Sequence, residues 1–330
     1  MMKVLVIANR ERYEKFMPDL DIVRQCEVVY CPLGTSDEEL LDAAADADVI
    51  LADAIAEVSG SLIRQMPNLK LIHSEGVAFN KIDIQAAAES GVYVCNNNGA
   101  NAHSVAEQTI LLMLGVLRFV EEGHDAVLDG RQIQIKEERM VSGFADLGNC
   151  TVGLVGFGNI AKATAQLLYA FGCKCYYYSP HRKSAEMECQ YHVTYLPLEE
   201  LLPACDIVSL HAAVTPETVH LMNADTLSMM KDGAYLVNTS RGELVDQEAL
   251  CRALDWGHLK GAGLDTLSPE PVQTDNPLVC FAKEHPYRIL FSPHIGGVSA
   301  GCFQNMHTRM WQNVQKIKSG ERPDCVVNGL

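Results

Sequence analysis

An arginine, a glutamate and a histidine, each just beyond an apolar run of strand length, carry the chemistry that this chain suggests first. Arg241 follows Ala234 to Val237 within Asn238-Thr239-Ser240-Arg241-Gly242. Glu270 follows Ala262 to Leu264 within Asp265-Thr266-Leu267-Ser268-Pro269-Glu270-Pro271, and His294 follows Ile289 to Phe291 within Ser292-Pro293-His294-Ile295-Gly296-Gly297. Open α/β sheets bind ligands beyond the carboxyl ends of their strands, so three such positions in one sheet converge on one crevice. A guanidinium can hold a carboxylate bidentately and polarise the adjacent carbonyl. An imidazole can deliver a proton to the developing alkoxide, and a carboxylate behind that imidazole keeps it oriented. The reaction this set suits is reduction of a 2-oxo acid.

Such a reduction needs a hydride donor, and the middle of the chain offers a place for one. The apolar run Val152-Gly153-Leu154-Val155 breaks into Gly156-Phe157-Gly158-Asn159-Ile160-Ala161 and continues into a helix-compatible segment ending near Phe171. A buried strand, a glycine turn and a helix start, in that order, hold a pyrophosphate: Gly156 permits the turn, Gly158 lets the backbone approach the phosphates, and Ala161 keeps the helix close to the strand. A second strand, Cys175-Tyr176-Tyr177-Tyr178, completes the βαβ unit that the motif requires. At its end, 18 residues beyond Ala161, stands Ser179, followed by Pro180, His181, Arg182 and Lys183. A carboxylate there would accept the ribose diol of NAD; a hydroxyl and three potential cations favour the 2′-phosphate of NADP instead, with NAD still possible.

Strands and helices alternate along the whole chain, as in parallel α/β layers. Strands are expected at Val4 to Ile7, Val49 to Ala52, Leu69 to His73 and Val92 to Cys95, with a capping box at Ser36 and Glu39 opening a helix. A long apolar helix, about Ala102 to Arg118, carries the chain into a second alternation. A final helix, Ala300 to Lys318, has no strand after it and crosses back to the first domain. The boundary is therefore expected twice, giving a domain of residues 1–101 plus 298–330 and an inserted domain of residues 102–297. The segment from Gln132 to Phe144 reads as an irregular, charged surface excursion.

Composition narrows the partners. A net charge of −16 lacks the basic face that nucleic acid or an anionic membrane requires. The 12 cysteines show no C-x-x-C pair and no zinc-ligand spacing, and the pattern reads as reduced thiols of a cytoplasmic protein with no metal site. The N-terminal run is a first strand and not a signal sequence, and Ile110 to Leu117 is too short to span a bilayer.

Four motifs together resemble the D-isomer-specific 2-hydroxyacid dehydrogenase family over about Leu69 to Asn328. They are Gly76-Val77-Ala78-Phe79-Asn80-Lys81-Ile82-Asp83, Ser104-Val105-Ala106-Glu107, the glycine turn with its helix, and Leu210 to Asp246 with Thr215-Pro216-Glu217-Thr218, in register with Glu270-Pro271 and the His294 segment. The resemblance implies a Rossmann nucleotide-binding domain inserted into a flavodoxin-like α/β substrate domain, and a homodimer. It implies Arg241 as binder of the substrate carboxylate and carbonyl, His294 as acid/base and Glu270 as its partner. Backbone N–H groups around Gly76 and Val77 are implied for the substrate carboxylate. Cofactor contacts are implied from Gly156, Gly158, Asn159, Ile160, His211, Thr215, Thr239, Ser240, Gly296 and Gly297, and from Asp265 toward the nicotinamide carboxamide.

The chain departs from the family pattern in the substrate loop. Ala78 stands in place of a usual glycine and narrows the pocket, and Glu75 precedes Gly76. Glu75 either faces the pocket, disfavouring substrates with a second negative group, or forms a surface pair with Lys81 or Arg64. The best substrate expectation is glyoxylate or hydroxypyruvate. Phosphoglycerate oxidation and a nucleotide-sensing corepressor on the same scaffold are the alternatives; formate dehydrogenases resemble a Gln-before-His pair, which Glu270 does not match.

Overall fold

The computed structural model describes all 330 residues, which divide into two units, Met1–Asn101 with Val298–Leu330 and Ala102–Gly297. The first holds β1 (Met2–Ile7), β2 (Cys26–Cys31), β3 (Val49–Ala52), β4 (Leu71–Ser74) and β5 (Tyr93–Cys95) in one parallel sheet of order β2-β1-β3-β4-β5. This is the flavodoxin-like order, reversing direction at β1 and β3. Alternate residues of each strand feed two apolar faces, as both sides of a parallel sheet must be covered. Leu5, Ile7, Ile50 and Ile72 meet Leu40, Leu62 and Ile63 on one side. Val4, Val6, Leu51 and Leu71 meet Tyr13, Met310, Trp311 and Val314 on the other, the last three from the helix Ala300–Lys318. The helix Asp37–Ala44 is opened by the Ser36–Glu39 capping box.

The second unit holds β6 (Thr151–Val155), β7 (Lys174–Tyr178), β8 (Val193–Tyr195), β9 (Ile207–Leu210), β10 (Ala234–Asn238), β11 (Leu259–Leu264) and β12 (Ile289–Phe291). Its order, β12-β11-β10-β9-β6-β7-β8, is the doubly wound Rossmann arrangement with one strand added, and the switch point falls between β6 and β9. The central strands β6, β9 and β10 are buried almost throughout, as their unbroken apolar runs require. Helices Ala102–Leu117 and Asn159–Phe171 lie together through Ala102, Ala106 and Ala163, small enough to let them approach closely.

One expectation about the elements needs correction. Gln132 to Phe144 is mostly a helix, Gln132–Ser142, with Ile135 its one buried residue. Its order comes from Arg139, which pairs with Glu122 and lies 3.9 Å over the ring of Phe119, and such partners leave no apolar period in the sequence. The short edge strand β8 escapes a reading by apolar runs, because the exposed Thr194 separates Val193 from Tyr195. No single helix is long and apolar enough to cross a membrane.

Candidate active site

β6 ends at Val155, and the chain turns at Gly156 with φ of +95°. A Cβ there would lie 2.6 Å from the backbone of His211 and Ala212, so only glycine fits beside the end of β9. At Gly158, which caps the helix Asn159–Phe171, the space for a Cβ is open. The turn is thus tight on its protein side and bare on its ligand side, with a helix N-terminus behind it. These residues fit a dinucleotide pyrophosphate. His211 donates its backbone N–H to Val155 O at 2.7 Å, and its ring Nε2 lies 3.0 Å from Ser209 Oγ. Desolvation pushes that imidazole down to about 3, so it is neutral.

The loop after β7 is stapled from inside. Ser179 is buried and donates its hydroxyl to His181 O at 2.6 Å. The Tyr177 hydroxyl accepts from Lys183 N at 2.8 Å and donates to Glu188 at 2.9 Å. Arg182 meets the same Glu188 through two bonds of 2.8 Å, from Nε and Nη2. His181 is exposed, and Lys183 makes no ion pair.

Farther along the carboxyl edge, Glu270 Oε2 lies 2.7 Å from His294 Nδ1, at a cleft of roughly 510 Å³ lined by Asp265, Glu270, Val272, Phe291, Ser292 and His294. Glu270 Oε1 also accepts from Leu267 N at 3.3 Å. Beneath the pair, Asp265 is buried. It accepts from Ile295 N and Gly296 N, both at 3.0 Å, and from the Ser292 hydroxyl. These bonds hold the histidine segment in shape, including the left-handed φ of +55° at His294. Asp265 thus accepts three hydrogen bonds from the His294 segment, and its carboxylate retains capacity for a further donor such as the expected nicotinamide carboxamide.

Arg241 is exposed and donates from Nη1 to its neighbour Ser240 O at 2.7 Å. It lies outside the residues lining the cleft, but its loop and that of Glu270 are adjacent: a side chain at Gly242 would collide with the backbone of Leu267. Asn238, at the end of β10, donates to Arg241 O at 2.8 Å and accepts from Ser240 N at 3.0 Å, shaping the turn. Thr239 Oγ1 meets Thr109 Oγ1 at 2.8 Å, Ser240 Oγ donates to Ala212 O at 2.6 Å, and Thr215 N donates to Thr218 Oγ1 at 2.7 Å.

In the other unit, the loop Gly76–Ala78 leaves β4 and is held by polar side chains. Ser74 Oγ donates to Ala78 O at 2.6 Å and accepts from Gly76 N at 3.3 Å, while Asn96 Nδ2 donates to Val77 O at 2.7 Å. Glu75 pairs with neither Lys81 nor Arg64. It is buried, with Oε1 2.7 Å from His307 Nε2 and Oε2 2.5 Å from Arg12 Nη2, which also lies 2.5 Å from Asp53. The reason is the strand's alternation: Leu71 faces the helix Ala300–Lys318, and two and four residues on, His73 and Glu75 follow it.

Sequence reasoning missed Arg12, Asp53, His307, Glu188 and the Asp265 anchor. For His307 a signal was present, since it falls in the apolar stripe with Met310, Trp311 and Val314, where a buried polar residue demands a partner.

The glycine turn at the switch point and the carboxylate-backed histidine of the same sheet define a dinucleotide-dependent oxidoreductase. Residues 110–296 match the family model for the D-isomer specific 2-hydroxyacid dehydrogenase, NAD binding domain. A glyoxylate reductase of Thermofilum pendens is 35% identical over 293 residues, 89% of this chain and 85% of the relative. A hydroxypyruvate reductase of Thermotoga maritima is 34% identical over 279 residues, 84% and 87% of the two chains. The structure of D-lactate dehydrogenase with NAD+ from Lactobacillus jensenii superposes with a TM-score of 0.86 at 26% identity, covering 99% of each chain. The chain belongs to the D-isomer-specific 2-hydroxyacid dehydrogenase family, oxidoreductases that use a nicotinamide cofactor and act on CH–OH donors.

Proposed function

We propose that this protein reduces glyoxylate or hydroxypyruvate to the corresponding hydroxy acid, with NADPH preferred over NADH. The observation that carries the catalytic reading is the His294–Glu270 contact at 2.7 Å beside the cleft. Gly156, Gly158, Asn159 and Ile160 are assigned to the pyrophosphate, and Thr215, Thr239, Ser240, Gly296 and Gly297 to further cofactor contacts. When bound, the cofactor supplies the hydride. Arg241 grips the substrate carboxylate and polarises the carbonyl, and the backbone N–H groups of the Gly76–Ala78 loop are assigned separately to substrate binding. With Nδ1 held by Glu270, His294 presents Nε2 to the substrate and delivers the proton that completes the alcohol. In this reading residues 1–101 with 298–330 bind substrate and residues 102–297 bind cofactor. The relatives' names support the substrate class, and the missing carboxylate at Ser179 supports NADPH.

We further assign a cytoplasmic homodimer; exposed Leu111, Val127, Leu128, Ile133, Met140 and Val141 support a self-association surface. Light scattering of the purified protein tests the dimer. A panel of 2-oxo acids with NADPH and NADH tests the activity: glyoxylate and hydroxypyruvate should give the highest kcat/KM, with NADPH ahead. Preference for NADH, or turnover only of larger 2-oxo acids, would overturn the corresponding half of the proposal.

A further inference from the structure

We propose that Glu188 is a specificity-determining residue for the cofactor, competing with the 2′-phosphate of NADP for the guanidinium of Arg182. The inference rests on the NADPH reading above and adds to it a residue outside the glycine motif and the loop that follows β7. Arg182 presents Nε and Nη2 to the two oxygens of Glu188, each at 2.8 Å. That parallel fork is the geometry with which a guanidinium takes a phosphate, so the carboxylate occupies the donors that a 2′-phosphate would use. The Glu188 carboxylate is itself fixed. Its side chain is 12% exposed and it accepts from the Tyr177 hydroxyl, whereas Arg182 is 61% exposed. The anion is the more buried partner and the cation the exposed one, its guanidinium also lying 5.8 Å from the centre of the Tyr195 ring.

An ion pair with so exposed a cation is weak, so a phosphate arriving at the loop can draw Arg182 away without disturbing the fold. The competition nevertheless lowers the affinity for the phosphorylated nucleotide and leaves the unphosphorylated one untouched. The protein thus carries a cation suited to NADP together with a built-in brake on its use, which narrows the gap between the two cofactors. Lys183, which makes no ion pair, is not subject to this brake.

The test is the dissociation constant of the purified protein for 2′-phospho-ADP-ribose and for ADP-ribose, measured by calorimetry, with melting temperature as a folding control. Glu188→Gln keeps an acceptor for Tyr177 and removes the charge. It should tighten 2′-phospho-ADP-ribose roughly fivefold and leave ADP-ribose unchanged. Arg182→Ala should weaken 2′-phospho-ADP-ribose alone, and adding Glu188→Gln to it should restore nothing. If Glu188→Gln leaves the phosphorylated ligand unchanged or weakens it while Arg182→Ala weakens it, the role of Glu188 is refuted and the NADPH reading stands. If Arg182→Ala alters neither ligand, the NADPH reading at this loop fails and the inference with it. A gain from Glu188→Gln that persists without Arg182 would be a general charge effect and would also refute the competition.

Discussion

Each unit of this chain contains one carboxylate–histidine pair at the same 2.7 Å separation, and the two could hardly be placed more differently. Glu75 and His307 have side chains 5% and 0% exposed; Glu270 and His294 have 40% and 42%. The buried pair is one edge of a network that continues through Arg12 to Asp53. Its second histidine nitrogen, Nδ1, is enclosed without a partner. The exposed pair stands beside a cleft on a loop anchored by Asp265. Distance alone therefore assigns neither role. An exposed pair contributes little to stability but leaves a nitrogen accessible for proton transfer, whereas a buried pair fixes charges that become costly once a partner is removed.

The largest effect expected from breaking this comparison is on catalysis. His294→Ala should lower kcat/KM for the preferred 2-oxo acid by ~10³-fold, the middle of the range for a lost general acid, with cofactor affinity and melting temperature unchanged. Steady-state kinetics and nucleotide titration on the same preparation check it. Activity near the parent level would remove this histidine from the mechanism.

Next comes the buried pair, where the effect should be on stability. Glu75→Ala leaves Arg12 and His307 facing one another with Asp53 as the remaining anion, and should cost ~3–5 kcal/mol in denaturant unfolding. Because both Glu75 oxygens are engaged, the substitution should change KM for 2-oxoglutarate and for glyoxylate by the same factor. A selective gain for the dicarboxylate, with no loss of stability, would restore Glu75 to the substrate pocket.

The contrast also marks what a sequence can disclose. The glycine turn, the strand-end positions of Arg241, Glu270 and His294, and the Ser36 capping box depend on residues within a few positions of one another. Local spacing therefore discloses them. The Glu75 network joins Arg12, 63 residues before it, and His307, 232 residues after it. Nothing local fixes such a meeting, which follows from the helix Ala300–Lys318 lying on the face of β4. The Arg182–Glu188 fork spans only 6 residues, yet the sequence displays only its cations, because Glu188 belongs to a short helix whose orientation local spacing does not set. Asp265 was recognisable as important, but its bonds to the histidine loop depend on β11 and β12 being neighbours.

A third test concerns acid. Just before Glu75, His73 is buried; its Nδ1 lies 2.9 Å from Ser74 O, its Nε2 has no partner, and burial lowers its pKa to about 4. The unfolded ring titrates near 6.5, so between these values the unfolded state binds more protons than the folded one. Stability should therefore fall as pH drops from about 6.5 toward 4, by up to ~3 kcal/mol from this group. Urea unfolding across that window should show a steeper acid loss for the parent than for His73→Leu. Equal slopes would mean that His73 is protonated in the folded state.

The smallest expected effect sharpens the comparison from the exposed side. Glu270→Gln keeps an oxygen that can accept from His294 Nδ1–H, while removing the negative charge beside the ring. Because the pair is exposed, water can supply part of what is lost, and kcat should fall by about tenfold, ~1.4 kcal/mol of barrier. Glu270→Ala removes the orienting acceptor as well and should fall further, with KM little altered in both. Neither should move the unfolding midpoint measurably, in contrast to Glu75→Ala. If Glu270→Gln instead lost as much activity as His294→Ala, the carboxylate's charge would be indispensable to proton delivery. If Glu270→Ala unfolded as readily as Glu75→Ala, the distinction between a chemical pair and a structural one would disappear.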